Sequence, residues 1–131
     1  MNKAFLSVGA LSGAIAVALG AFAAHGLKKI ASAEIVDVFR TGVQYQMYHT
    51  LALLVVAVVC ERLQNNWIKW SGYLFSIGII CFSGSLYLIT AMQTSGKTVP
   101  PMVGFITPVG GLLFIVGWLS LLIGTFSKKS F

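Results

Sequence analysis

The sequence predicts an all-α integral membrane protein, a four-helix bundle with a short amphipathic helix in its first loop. Only 9% of the 131 residues are charged and 57% are hydrophobic, whereas a soluble domain carries about a quarter charged residues. Four uncharged runs are each long enough for the roughly 20 helical residues that cross a bilayer. Short charged or proline-containing stretches separate these runs, so we expect one transmembrane domain over residues 1–131, with spans at residues 4–24, 43–61, 70–92 and 102–126.

The basic residues mark the ends of these spans rather than a nucleic-acid-binding face. The formal charge is +6, but the cations stand singly or in pairs beside apolar runs: Lys3, Lys28, Lys29, Arg40, Arg62, Lys69, Lys97, Lys128 and Lys129. Cations at such positions contact lipid head groups. No continuous basic face with interleaved aromatic residues exists, as nucleic-acid binding would require. We therefore predict the lipid bilayer as a partner and no nucleic acid.

The first span could be a signal peptide or a retained helix. Lys3, an apolar run and "AFA" at residues 21–23 imitate a cleavable signal. However, the run is longer than a usual signal core and carries two rows of small residues that let helices approach closely: Ser12, Ala16, Gly20 and Ala24 in one, and Gly9 and Gly13 in the other. We predict a retained helix packed at the centre of the bundle.

The segment from Glu34 to Gln46 predicts the amphipathic helix, because its apolar and polar residues separate at helical spacing. Ser32 is suited to cap its N-terminus. The helix either lies on the membrane surface or runs directly into the second span. Asp37 and Arg40 are one turn apart, and we interpret them as a solvated ion pair.

The fourth span contains "TPVGG" at residues 107–111. Pro108 lacks an amide donor, so we expect a kink near Gly104. Gly110, Gly117 and Gly124 recur every seven residues and predict a close-packing seam. The two cysteines lie within apolar runs, where core packing is the natural interpretation.

An even number of spans places both chain termini on one side of the membrane. Five basic residues fall on that side and four on the other. By the positive-inside rule, we expect a multi-pass protein of the cell membrane with cytoplasmic termini.

Up-and-down threading of the spans groups both histidines of the chain near one leaflet. In this arrangement the candidate polar cluster consists of six residues: His25, Tyr45, His49, Ser83, Ser85 and Thr107. Polar groups at bilayer depth are costly and are functional candidates by default. Three interpretations remain open: hydrogen bonds that only fix the loop, a pocket for a lipid head group, quinone or other amphiphile, or ligation of haem or a metal by the two histidines.

Other function classes find less support in the residues. The three acidic side chains offer no carboxylate pair within a span for acid–base chemistry, and no serine or cysteine stands in a nucleophile motif. Two histidines alone do not define a zinc site, and no cofactor is identified. We predict no catalytic residue, no metal and no enzymatic activity.

The leading hypothesis is therefore a non-enzymatic accessory or binding module with a polar pocket at one leaflet. Its partner would be a larger membrane-protein complex or a second copy of the chain. The alternatives are a haem- or quinone-binding redox accessory protein and a small oligomeric transporter. A chain this short shows no filter repeat or inverted repeat, so transport would need a homo-oligomer.

Four segments together resemble the YgdD/YwdK-like family of small bacterial membrane proteins, a domain-of-unknown-function family with a relative in animal mitochondria. These segments are "GALSGAIAVALGAFAAHGL", "FRTGVQYQMYHTLAL", "FSGSLYL" and "ITPVGGLLFIVGW". The resemblance covers nearly the whole chain and implies a multi-pass membrane protein with an uncleaved first span, but no activity. The family's motif positions are Gly20, Ala21, His25, Tyr45, Gln46, His49, Ser83, Gly84, Ser85, Thr107, Pro108, Gly110, Gly111, Gly117 and Trp118.

Overall fold

The computed structural model describes all 131 residues, and its regular structure is entirely helical. A π-helical segment, Ile79–Ser83, joins two of the helices into one continuous span, Asn66–Thr94. Four spans are long and apolar enough to cross a membrane, which confirms the predicted fold class. The helices are α1 (Lys3–Ala24), α2 (Gly26–Ile30), α3 (Ala33–Leu63), α4 (Asn66–Gly78), α5 (Gly84–Thr94) and α6 (Pro101–Phe126).

The first helix lies at the edge of the bundle, not at its centre as predicted. It packs mainly along α3, and its buried face includes Gly9, Ser12 and Ala16. Near the C-terminal end of α1, the predicted row of small residues is no longer buried in this interface: Gly20 is half-buried and Ala24 is exposed. The central positions belong to α3 and the continuous third span, which bury more of their residues than α1 or α6.

The amphipathic segment continues into the second span without a break, which is one of its two predicted arrangements. Ser32 caps the helix through an Oγ that accepts a hydrogen bond from the Ile35 amide at 3.3 Å. The helix then runs for 31 residues to Leu63 and ends at Gln64, whose φ of 44° lies in the left-handed region. At 1.5 Å per residue, α3 is about 46 Å long and exceeds the apolar thickness of a bilayer.

The fourth span packs against α4 and the π-helical segment through the predicted glycine seam. All three glycines are buried. A methyl group on each would collide with a neighbour on the third span: Phe82 for Gly110, Phe75 for Gly117 and Ile68 for Gly124. This confirms the seam, and α6 remains helical through Pro108.

The π-helical segment has a wider turn than the helices on either side of it. The Gly84 amide donates a hydrogen bond to the Ile79 carbonyl, five residues earlier in the chain. Such turns occur mostly as single insertions in α-helices and are frequent at functional sites. Phe82 belongs to this segment and faces α6 at Gly110.

Candidate functional site

His49 lies in the middle of the bundle, and both nitrogens of its ring are engaged. Nδ1 is 2.7 Å from the Tyr45 carbonyl oxygen, which can only accept a hydrogen bond. Nε2 is 3.1 Å from the Trp118 indole nitrogen, which can only donate one. These partners assign the neutral tautomer with its proton on Nδ1. The ring is also stacked on Phe114, with centroids 3.5 Å apart and planes within 7°.

His25 does not join His49 near one leaflet, so this part of the predicted cluster is wrong. Its side chain is exposed at the end of α1, and Nδ1 is 3.0 Å from the Ala21 carbonyl oxygen. The pairing of Ser12 with Thr50 places His49 level with about residue 13 of α1. His25 therefore lies about 18 Å further along the helix axis.

The separation of the two histidines follows from the early start of α3. Because the helix begins at Ala33 rather than near residue 43, His49 is seventeenth in it instead of near its beginning. The two imidazoles therefore cannot bind one haem or metal together in this arrangement. No group of three or more His, Cys, Asp or Glu side chains is placed to hold a metal ion.

The predicted hydroxyl residues form two separate contacts on the third span. Ser83 Oγ donates to the Gly42 carbonyl oxygen of α3 at 2.6 Å. Ser85 Oγ is 2.6 Å from Thr107 Oγ1 of α6, and it also donates to the Phe82 carbonyl at 2.9 Å. These hydroxyls connect the third span to its two neighbours, and their partners are protein atoms.

A buried network at the centre of the α1–α3 interface was missed by the sequence reasoning. Gln46 Nε2 donates to the carbonyl and hydroxyl oxygens of Ser12 at 2.9 and 3.2 Å. Ser12 Oγ is 2.7 Å from Thr50 Oγ1, and the Tyr87 hydroxyl donates to Gln46 Oε1 at 2.6 Å. The usable signal was the one-turn spacing of Gln46 and Thr50, opposite the small-residue row of α1.

A groove of about 560 Å³ opens between α3, the π-helical segment and α6, beside His49. It opens sideways towards lipid, where Leu112 and Ile115 on its rim are more than half exposed. The Tyr45 ring packs against the Phe82 ring, with their centroids 4.8 Å apart. The Tyr45 hydroxyl has no hydrogen-bond partner in the protein. The groove is lined by Tyr45, His49, Phe82, Pro108, Gly111, Leu112, Phe114, Ile115 and Trp118.

Two interruptions of regular helix face each other across this groove. Phe82 comes from the π-helical segment, and Pro108 lies inside α6, where its missing amide leaves the Gly104 carbonyl without its usual partner. The groove therefore lies where both helices depart from ideal hydrogen bonding. Of the predicted cluster, it includes Tyr45 and His49. Trp118, which also lines the groove, connects α6 to His49 through its indole nitrogen.

Comparisons with a family model and with individual known proteins agree on one family. A family model described as "Protein of unknown function (DUF423)" matches residues 19–111. A UPF0382 membrane protein of Haemophilus influenzae is 46% identical over 130 residues, which cover 99% of each chain. The Bacillus subtilis UPF0382 membrane protein YwdK is 41% identical over 122 residues, 92% of this chain and 94% of the relative.

An inner membrane relative is also similar over nearly the full length. The Escherichia coli UPF0382 inner membrane protein YgdD is 39% identical over 128 residues, 98% of this chain and 93% of the relative. No solved structure matches. The family match and these full-length similarities confirm the resemblance in the four sequence segments. This chain therefore belongs to the DUF423 family, together with membrane proteins of the UPF0382 group.

Proposed function

We propose that this protein is a non-enzymatic membrane module that binds a neutral amphiphile in the groove beside His49. The observation that carries the proposal is that the Tyr45 hydroxyl has no hydrogen-bond partner in the protein, while Tyr45 lines a groove that opens to lipid one helical turn from the buried His49. A polar group at bilayer depth is costly when it has no partner. A ligand whose polar group meets this hydroxyl would remove that cost.

The groove lining favours a ligand without charge. No charged residue lines the groove, and its walls are aromatic rings and aliphatic side chains. Both nitrogens of His49 already have hydrogen-bond partners in the protein. The imidazole can therefore contact a ligand through its ring but has no free nitrogen to bind one. A volume of about 560 Å³ is within the range of small-molecule sites.

The geometry favours this function over the haem-binding alternative. A bis-histidine haem would need His25 and His49 on opposite sides of one iron, and His49 would have to give up its bond to Trp118. An isoprenoid quinone remains within the proposed ligand class, because it is a neutral amphiphile with hydrogen-bonding oxygens. The accessory role in a larger membrane complex and the cytoplasmic location of both termini are part of the same proposal.

Photolabelling with a long-chain alcohol that carries a diazirine on its chain tests this proposal. The purified protein in lipid nanodiscs would be irradiated with the probe, and labelled peptides mapped by mass spectrometry. We expect labelling to concentrate on the groove residues of α3 and α6. A methyl group at Gly111 would lie 3.8 Å from the Phe82 ring, at ordinary contact distance. Gly111→Leu should therefore fill the groove and abolish this labelling.

The matched control is Gly104→Leu, on the same helix, since a methyl group there meets nothing within 4 Å. This variant should label as the wild type does. Tyr45→Phe should weaken labelling about fivefold through loss of one hydrogen bond. Retained groove labelling in a folded Gly111→Leu protein would contradict the proposal, as would labelling spread evenly over all lipid-facing helices.

A further inference from the structure

A second cleft lies at the membrane end where α1 stops, well away from the groove. Its charged lining consists of Lys28 from α2 and of Asp37 and Arg40 from α3, and its volume is about 270 Å³. The short helix α2 is held against α3 by Leu27, which is 2% exposed and packs with Val36 and Phe39. This packing holds the backbone of α2 beside α3, so that Lys28 lines the same cleft as Asp37 and Arg40.

The three charged side chains do not neutralise one another. Asp37 and Arg40 were expected to form an ion pair one turn apart, but that expectation is wrong. The one ion pair within 4.0 Å in the chain joins the N-terminal amine to Glu61. Lys28, Asp37 and Arg40 are all exposed. Two cations and one carboxylate therefore line a single cleft, and each is available to a ligand.

The cleft lies at the depth of lipid head groups. The ring of Phe39, beside Arg40, is 5.9 Å from that of Phe22, near the end of α1. The span of α1 ends two residues later, at Ala24. Lys28 follows on the helix that covers this end of the bundle. A phospholipid in the surrounding leaflet would thus present its phosphate and terminal group at the level of the cleft.

We propose that this cleft binds the head group of phosphatidylethanolamine. The phosphodiester would lie between Lys28 and Arg40, and the primary ammonium would donate hydrogen bonds to Asp37. A head group with the phosphate but no amine leaves the carboxylate unpaired beside a second negative charge. A choline head group has a cation that cannot donate a hydrogen bond. The arrangement of charges therefore selects a zwitterion with a primary amine, independently of what binds in the groove.

Competition among three lipids tests the assignment. The full-length protein would be equilibrated with equal amounts of phosphatidylethanolamine, phosphatidylglycerol and phosphatidylcholine with identical acyl chains. The lipids that stay bound would then be counted by native mass spectrometry. We expect phosphatidylethanolamine to be enriched about threefold over either competitor, in keeping with an exposed ion pair. Arg40→Gln should lower the retention of every phospholipid.

The decisive variant is Asp37→Asn, which removes the proposed partner of the ammonium and leaves both cations. It should reverse the preference towards phosphatidylglycerol. Glu34→Gln is the matched control, because Glu34 lies on the same helix but lines a different cleft with Lys97; it should keep the wild-type preference. Three results would overturn the proposal: equal retention of the three lipids, a wild-type preference for phosphatidylglycerol, and an unchanged preference in Asp37→Asn.

Discussion

The α1–α3 interface and the interface of the third span with α6 are held together differently. At the centre of the α1–α3 interface, Gln46, Ser12 and Thr50 form one buried network of side-chain hydrogen bonds. On the other interface, glycines of α6 admit side chains or backbone of the third span at intervals of seven residues. The hydrogen bonds there are single links, such as the 2.7 Å bond from Ser120 Oγ to the Trp67 carbonyl.

The difference shows two solutions to one problem. Lipid chains are as apolar as leucine, so helices in a membrane associate through close packing and hydrogen bonds instead of the hydrophobic effect. The network fixes the register of α1 on α3 at one point. The seam spreads van der Waals contact over most of the length of α6. Substitutions that open the network and substitutions that fill the seam should therefore lower the unfolding free energy by different amounts.

The largest effect is expected from Gly110→Ala. The added methyl group would overlap the Phe82 backbone, which cannot move aside as the end of a side chain can. We expect a loss of about 2 kcal/mol in unfolding free energy, typical of overpacking. Reversible unfolding of the protein in mild detergent, followed by circular dichroism, measures it.

Gly111→Ala is the adjacent control for this prediction. Its methyl group would meet only the Phe82 ring at 3.8 Å, and alanine is a better helix former than glycine by about 1 kcal/mol. The variant should be as stable as the wild type or slightly more stable. Equal destabilisation by the two substitutions would show that α6 does not pack at the described register.

Opening the polar network should have an intermediate effect. Gln46→Leu removes the acceptor of the Tyr87 hydroxyl and the donor to Ser12. We expect a loss of about 1–2 kcal/mol, measured by the same unfolding experiment. Adding Tyr87→Phe should recover part of this loss, because both partners are then apolar. The exposed Gln44→Leu serves as control, and a loss there as large as at Gln46 would refute the network's role.

The smallest effect is expected from Ser12→Ala. Thr50 Oγ1 loses its partner, but Gln46 Nε2 keeps the Ser12 carbonyl at 2.9 Å. Interhelical hydrogen bonds in membranes contribute about 0.6 kcal/mol on average, so we expect a loss of that order. Ser7→Ala, at an exposed position of α1, should be silent. A Ser12→Ala loss above that of Gly110→Ala would reverse the comparison of the two interfaces.

The sequence was sufficient for features that depend on local pattern. Four apolar runs predicted four spans, and the seven-residue spacing of Gly110, Gly117 and Gly124 predicted the seam of α6. The cap at Ser32 was also correct. Each of these follows from helical periodicity or from the length needed to cross a bilayer, which neighbouring residues determine by themselves.

Predicting the candidate site required the depth of each residue in the membrane, which the local sequence pattern does not determine. A charged Arg40 suggested that the membrane begins after it, yet α3 is already helical from Ala33 and carries Arg40 on its exposed side. Because α3 begins about ten residues before the predicted span, His49 lies in the middle of the bundle and is separated from His25. The partner of His49, Trp118, is 69 residues away in the chain. Such a pair becomes visible only when the packing of α3 and α6 is known.

The π-helical segment makes the third span sensitive to the number of its residues as well as to their kind. An α-helix turns by about 100° for each residue, so the wide turn at Ile79–Ser83 sets the rotation of everything that follows it. Deleting one residue there would let the helix close into a regular spiral. That closure would keep the α5 face with Ser85 and Tyr87 towards Thr107 and Gln46, because the wide turn contains one residue more than an α-helical turn. Deleting one residue from the regular part of α4 would instead rotate this face by about 100° away from both partners, even though no contacting residue had been replaced.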